Sequence, residues 1–247
     1  MDESIQSVPI GRRAQQARET RDLIIKLARA LFAKRGFTDT TIEDILRRTR
    51  VARGALYHHF RDKEDLFRAV YEQTLREAHT EIVEAASQAT EIWERLRLGR
   101  EAFLDSCTEP AVYRILLMDG PSVLSPDVRR QIRNSMGPDF EEGALLRASL
   151  DALVASGQAK LESFEPLVTI LAGAFDAAAL AIATAEDRKQ MRRDAGAALN
   201  LLIDGLRALA SGTGQRDTDE QPALQTRRPK ESDARRRQTR VPPRRRG

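Results

Sequence analysis

Apolar positions along the chain recur at helical spacing. Leu23, Leu27 and Leu31 repeat every four residues with Ile24, Ala28 and Phe32 beside them, one face of a helix ending at Gly36. Thr40 and Glu43 form a capping box ahead of Ile42, Ile45 and Leu46, so a short second helix is expected from there to about Thr49. After Arg50 and Val51 a third short helix carries Leu56 and Phe60. Asp62, with Asp65 three residues on, opens a long fourth helix. Its apolar face runs Leu66, Val70, Thr74, Ala78, Ile82 and Ala85, widened by Phe67, Tyr71 and Leu75.

Helical spacing continues from Ile92 to Asp105 and from Ala111 to Met118, with breaks expected at Pro110 and Gly120-Pro121. Ser125-Pro126-Asp127 is an N-cap, a first-turn proline and an acid, which starts a helix reaching about Met136, where Gly137-Pro138 stops it. Further helices follow at Leu145 to Val154, Glu165 to Thr184 and Arg188 to Leu209. No stretch alternates with the two-residue period of a strand. The expected fold is all-α, with a flexible arm at 1–17, a three-helix domain at 18–63, a longer helical domain at 64–210 and a disordered basic tail at 211–247. The tail lacks the aliphatic and aromatic surface needed to offset ordering entropy.

Charge divides the same way. Residues 11–63 carry net +8, residues 64–210 net −8 and residues 211–247 net +6. A basic head and tail around an acidic body suit a chain whose first segment meets a polyanion. Arg235 to Arg237 and Arg244 to Arg246 are expected to add sequence-independent DNA affinity, since they bring charge without fixed geometry. The single cysteine, Cys107, has no disulfide or zinc partner and reads as a small buried hydrophobe rather than a redox sensor. The first fifteen residues lack a signal-peptide core, which points to the cytoplasm. The apolar run from Leu167 to Ala185 is Ala- and Gly-rich and has Asp176 at its middle, where a charge costs about 2.5–3.5 kcal/mol on insertion, so it reads as a buried helix rather than a membrane span. There is no phosphate-binding glycine loop, metal-ligand spacing or catalytic constellation, and no cofactor, metal or catalytic residue is expected.

Two short helices joined by a tight turn are the layout in which the second helix enters the DNA major groove. The strings Leu31-Phe-Ala-Lys-Arg-Gly-Phe-Thr-Asp-Thr-Thr-Ile-Glu-Asp-Ile45 and Val51-Ala-Arg-Gly-Ala-Leu-Tyr-His-His-Phe60, followed by Arg-Asp-Lys-Glu-Asp-Leu66, resemble the TetR family without a gap from about Leu23 to Tyr71. The resemblance implies a DNA-binding regulator, most often a repressor on a palindromic operator. It places Thr40, Thr41, Arg53, Gly54, Ala55, Tyr57, His58, His59 and Lys63 toward DNA. Arg53 can bond guanine O6 and N7 or pair with a phosphate. Gly54 and Ala55 allow close approach, and the Ala55 methyl can touch thymine. Tyr57 matches the family's phosphate-binding tyrosine, with a core tyrosine as the competing role, and His59 matches a groove-facing position. Lys63 stands where a family lysine and a helix N-terminus together hold a phosphate. Thr40 and Thr41 either cap the second helix or bond phosphate. Arg12 and Arg13 either enter the minor groove or remain solvated. Two positions depart from the family pattern. Ala52 replaces a capping Ser or Thr, and Arg50 stands where a turn glycine is common.

For the body the resemblance implies a homodimer joined through the last two helices. Ala174, Ala177, Ala178, Ala181, Gly196, Ala197 and Gly205 supply small residues for a close seam, or for packing within the chain. It also implies a small-molecule effector among the middle helices. Trp93, Phe103, Tyr113, Met118 and Phe140 are candidates for lining its pocket, with plain core as the alternative.

Overall fold

The computed structural model describes residues 10–141, 143–157 and 165–210. The start of the expected arm and the whole expected basic tail lie outside them. Helices α1 (Ile10–Arg35), α2 (Ile42–Thr49), α3 (Arg53–His59), α4 (Lys63–Ser87) and α5 (Ile92–Ser106) are followed by a π-helix, Val112–Asp119. Then come α6 (Gly120–Val123), α7 (Pro126–Met136), a 3₁₀ turn at Pro138–Phe140, α8 (Ala144–Ala155), α9 (Glu165–Thr184) and α10 (Arg188–Ala210), with no strand among the described residues.

Several expectations need correcting. α1 begins at Ile10, well ahead of the first apolar stripe, because its leading turns are Arg, Gln, Ala and Glu, which favour helix without needing burial. Arg12 and Arg13 are therefore exposed residues of a helix and not of an arm preceding it. Gly120-Pro121 does not break the chain. Pro121 sits in the first turn of α6, where its missing N–H does no harm, and the helical path changes there from π to α.

The largest core joins head to body. Ile24, Ile25, Ala28 and Phe32 of α1 bury against Ile45, Leu56 and Phe60, against Leu66, Phe67, Val70 and Tyr71 of α4, and against Ala111, Ile115, Leu124 and Ile132 beyond it. Phe32, Phe37 and Phe67 form an aromatic trio with ring centroids 5.1–6.0 Å apart. Two further clusters fill the body. Trp93, Leu150, Leu153, Val168 and Ile203 make one, and Leu104, Cys107, Ala178, Ala179, Ile182 and Leu199 make the other.

A polar clasp from the π-helix grips the turn after α1. Asp119 Oδ2 accepts the Phe37 N–H at 2.7 Å, and Arg114 Nη2 donates to the Arg35 carbonyl at 3.2 Å. Gly36 makes this possible twice over. Its φ is +83°, and a Cβ there would fall 2.5 Å from the Arg114 guanidinium. Gly120 meets a similar constraint, since a Cβ would lie 2.6 Å from the Tyr71 ring.

Helix α9 is long and apolar enough to cross a membrane, with mean hydropathy 1.9, but it packs against α8, α10 and the π-helix. About a third of it is buried. Asp176 lies on its exposed side.

Candidate nucleic-acid interface

Helices α2 and α3 make a helix-turn-helix. The turn between them relies on Arg50, which takes the left-handed conformation, φ +57° and ψ +19°, usually left to glycine. Its N–H closes α2 by donating to the Leu46 carbonyl at 2.9 Å. Ala52 then opens α3 with no side-chain cap, as its lack of a hydroxyl implies.

The cap on α2 lies one residue later than expected. Thr41 is the N-cap, accepting from Asp44 N at 3.1 Å, while Asp44 reaches back to Thr41 N at 3.2 Å. Thr40, expected to face DNA, is fully buried and donates its hydroxyl to the Gly36 carbonyl at 2.8 Å. A solvent-excluded hydroxyl cannot reach a phosphate, so Thr40 is removed from the DNA-facing set. Thr41 is exposed, but its hydroxyl also donates to Asp44, at 2.8 Å.

On α3, Leu56 and Phe60 point into the core as read from the sequence, and Arg53, Gly54, Tyr57 and His58 face outward. Ala55 and His59 are half-buried. Nothing approaches within 4 Å of where a Gly54 Cβ would be, so this turn offers an open approach. Tyr57 is 45% exposed, which rules out the core alternative. Burial pushes the His59 imidazole pKa below its ordinary value, helped by the nearby His58 and Arg21.

Arg53 meets a partner that the sequence reading missed. Its Nη2 bonds Glu43 Oε1 at 2.7 Å across the two helices, with both side chains more than half exposed. That hydrogen bond holds the Glu43 carboxyl below its usual range and raises the Arg53 guanidinium. The signal was present in Thr40-Thr41-Ile42-Glu43-Asp44, where the box can be read in two registers. With Asp44 closing the cap, Glu43 is left for Arg53.

Lys63 opens α4 behind the N-cap Asp62, which accepts from Asp65 N at 2.7 Å. Its ammonium donates to the Phe37 carbonyl at 2.9 Å and the Thr40 carbonyl at 3.1 Å, and lies 4.1 Å from the Phe37 ring centre. Two of its three N–H groups are thus committed to the turn after α1, leaving one for an anion.

Among the described residues, the five expected to line an effector pocket lie in different surroundings. Trp93 is buried in the core beside Leu150 and Ile203. Phe103 packs edge-on to Phe175 at 5.3 Å, Tyr113 lies 3.9 Å beneath the Arg188 guanidinium, Met118 is 39% exposed and Phe140 stacks on His79 at 4.1 Å. Of the five, only Trp93 lines the cleft of about 210 Å³ between α5 and α10. The small residues of α9 and α10 also divide. Ala177, Ala197 and Gly205 are exposed and Ala174 and Ala181 are half-buried. Ala178 and Gly196 pack inside the chain, where a Gly196 Cβ would lie 3.4 Å from Leu104. Those two belong to the intrachain alternative.

An all-α chain with a helix-turn-helix head on a helical body defines a class of bacterial DNA-binding regulator, and comparison with known proteins narrows it. Residues 24–70 match the family described as bacterial regulatory proteins, tetR family, and residues 93–206 match the tetracyclin repressor-like C-terminal domain. A TetR-family transcriptional regulator of Pectobacterium atrosepticum is 32% identical over 78% of this chain and 96% of its own, with a TM-score of 0.66. The chain belongs to the TetR family of transcriptional regulators. It is also 37% identical over 83 residues to the regulator TtgR of Pseudomonas putida and 43% identical over 58 residues to AcrR of Shigella flexneri. These matches span 34% and 24% of this chain, and 39% and 27% of those two proteins.

Proposed function

We propose that the protein is a cytoplasmic repressor that binds a palindromic operator as a homodimer and releases it when a small molecule occupies the body. The carrying observation is α3, which turns Arg53, Gly54, Tyr57 and His58 outward while Leu56 and Phe60 anchor it in a core shared with the body. A recognition helix fixed in this way can present side chains to base edges in a repeatable register. In this reading Arg53 reads a base, Tyr57 and the remaining Lys63 donor hold phosphates, Gly54 and Ala55 set the approach distance, and Thr41, His58 and His59 flank the contact.

Dimerisation is supported by large apolar side chains that the single chain leaves uncovered. Ile170 and Leu180 on α9 and Leu201 and Leu202 on α10 are 50–76% exposed and alternate with Gly173, Ala177, Ala197 and Gly205. A strip of this kind is costly in water and marks an interface. A twofold dimer would set the two recognition helices one DNA turn apart, roughly 34–36 Å.

Sequencing DNA fragments selected by the purified protein tests the proposal. Enrichment of an inverted repeat supports the dimeric regulator, whereas fragments without shared sequence would count heavily against it. Activation in place of repression keeps every contact above and is distinguished by where the selected site lies relative to the promoter.

A further inference from the structure

The cleft between α5 and α10 is lined by Glu91, Trp93, Glu94, Arg97, Arg100, Asn200, Ile203, Asp204 and Arg207, and encloses about 210 Å³. We propose that it is a binding site for a small planar carboxylate, with Arg100 as the anion-binding group and Trp93 as the wall for a flat apolar ring.

Arg100 carries the argument. Its side chain is 97% buried, yet among the described residues it forms a single hydrogen bond, from Nη2 to Glu101 Oε1 at 2.6 Å, and its Nε has no partner there. Glu101 does not belong to it alone, since Arg192 also bonds that carboxylate and reaches Asp105 Oδ1 at 2.7 Å. A guanidinium out of water with donors unfilled is costly, and a second acceptor offsets that cost. The other groups are largely committed. Arg97 holds Glu94 through two bonds, at 2.8 and 2.5 Å, and Glu91 caps α5 by accepting from Glu94 N at 2.7 Å. Asp204 stands at the exposed rim. A carboxylate fits the planar fork of an arginine.

The remaining wall is apolar and aromatic. Trp93 and Ile203 are both more than nine-tenths buried, and the Arg207 guanidinium lies 5.7 Å from the Trp93 ring centre. The space equals that of roughly seven water molecules at about 30 Å³ each, enough for one substituted ring and below the usual size of drug-binding sites. Asn200, Ile203 and Asp204 share α10 with Leu201 and Leu202 of the exposed apolar strip. An occupant therefore presses on the helix that the proposed dimer uses. That regulatory consequence rests on the effector reading above; occupancy of the cleft does not.

Trp93 is the only tryptophan, so intrinsic fluorescence reports on the site directly. The full-length protein is titrated with benzoate, with neutral benzyl alcohol and with inorganic phosphate. The expected result is a saturable change with benzoate, at least tenfold weaker with benzyl alcohol and absent with phosphate. Arg100→Gln should weaken benzoate at least tenfold. Because that variant disturbs a buried ion pair, Asn200→Phe, which fills the cleft from α10, should abolish the response independently. Equal responses to benzoate and benzyl alcohol, a response to phosphate alone, or benzoate binding undiminished in Asn200→Phe would overturn the proposal. Operator binding is measured in parallel. If benzoate binds as described but leaves operator affinity unchanged, the site stands and the effector reading fails for it. If other compounds release operator while Trp93 stays silent to benzoate, the effector reading stands and this site falls.

Discussion

Lys63 combines a structural role with the recognition role proposed for it. Two of its N–H groups hold the carbonyls of Phe37 and Thr40, and the third is the one proposed to meet a DNA phosphate. Lys63→Ala should weaken binding to operator and random DNA alike and lower the salt slope by about one unit, measured as log affinity against log salt. It should also cost roughly 1–3 kcal/mol of stability, seen in a denaturant melt without DNA, because two carbonyls lose a charged donor. A loss of affinity with stability unchanged would mean that the carbonyl contacts contribute nothing. Cys107 makes the opposite case. Burial pushes its thiol pKa up to about 12 from 9.0, so the native protein holds a protonated, unreactive sulfur. An acid whose pKa is raised on folding leaves stability intact below its unfolded value, and stability is then lost as pH rises from about 9 toward 12. A thiol reagent at pH 8 should label the unfolded chain and spare the native one; rapid native labelling would reopen a sensor role.

At the scale of the helix, much was legible and the exceptions have physical causes. The starts of α4 and α7 follow from caps that act locally, Asp62 with Asp65 and Ser125-Pro126. The register of the α2 cap could not be read, because two threonines precede two acids and either pairing closes a box. Packing decided it by burying Thr40. The leading turns of α1 were invisible to a search for apolar periodicity, since helix propensity alone sustains them. The bare start of α3 was legible from Ala52, and it gives a clear expectation. Ala52→Ser supplies the missing acceptor and should stabilise the protein by about 1 kcal/mol, raising the melting temperature by roughly 2–4 °C. No change would mean that a neighbouring group already satisfies those N–H donors.

For the molecule as a whole, the alanine-rich pattern of α9 and α10 identified the helices but not their outward faces. Alanine is compatible with either side, so Ala177 and Ala178 looked alike although one is exposed and the other buried. The large residues carry the distinction, and Leu201, 76% exposed, is the sharpest probe. Leu201→Arg should leave the fold intact and shift sedimentation from dimer to monomer, whereas Gly196→Arg should unfold the chain by colliding with Leu104. Full dimers in the folded Leu201→Arg protein would place the interface elsewhere. The residues expected to line an effector pocket were the hardest to judge, because aromatic side chains at helical spacing say nothing about which of them share a cavity.

The core that runs from Ile24 through Phe67 to Ile132 ignores the boundary expected between residues 63 and 64. Severing the chain there would strip the head of Leu66, Phe67, Val70 and Tyr71, which supply much of its apolar floor. Melting therefore belongs to head and body together. A calorimeter should record one cooperative endotherm for this part of the chain, with van't Hoff and calorimetric enthalpies in agreement. A lesion in α3 would then show itself as a lower melting point of the distant body, and an occupant of the proposed cleft between α5 and α10 would protect the head from proteases before any DNA is present.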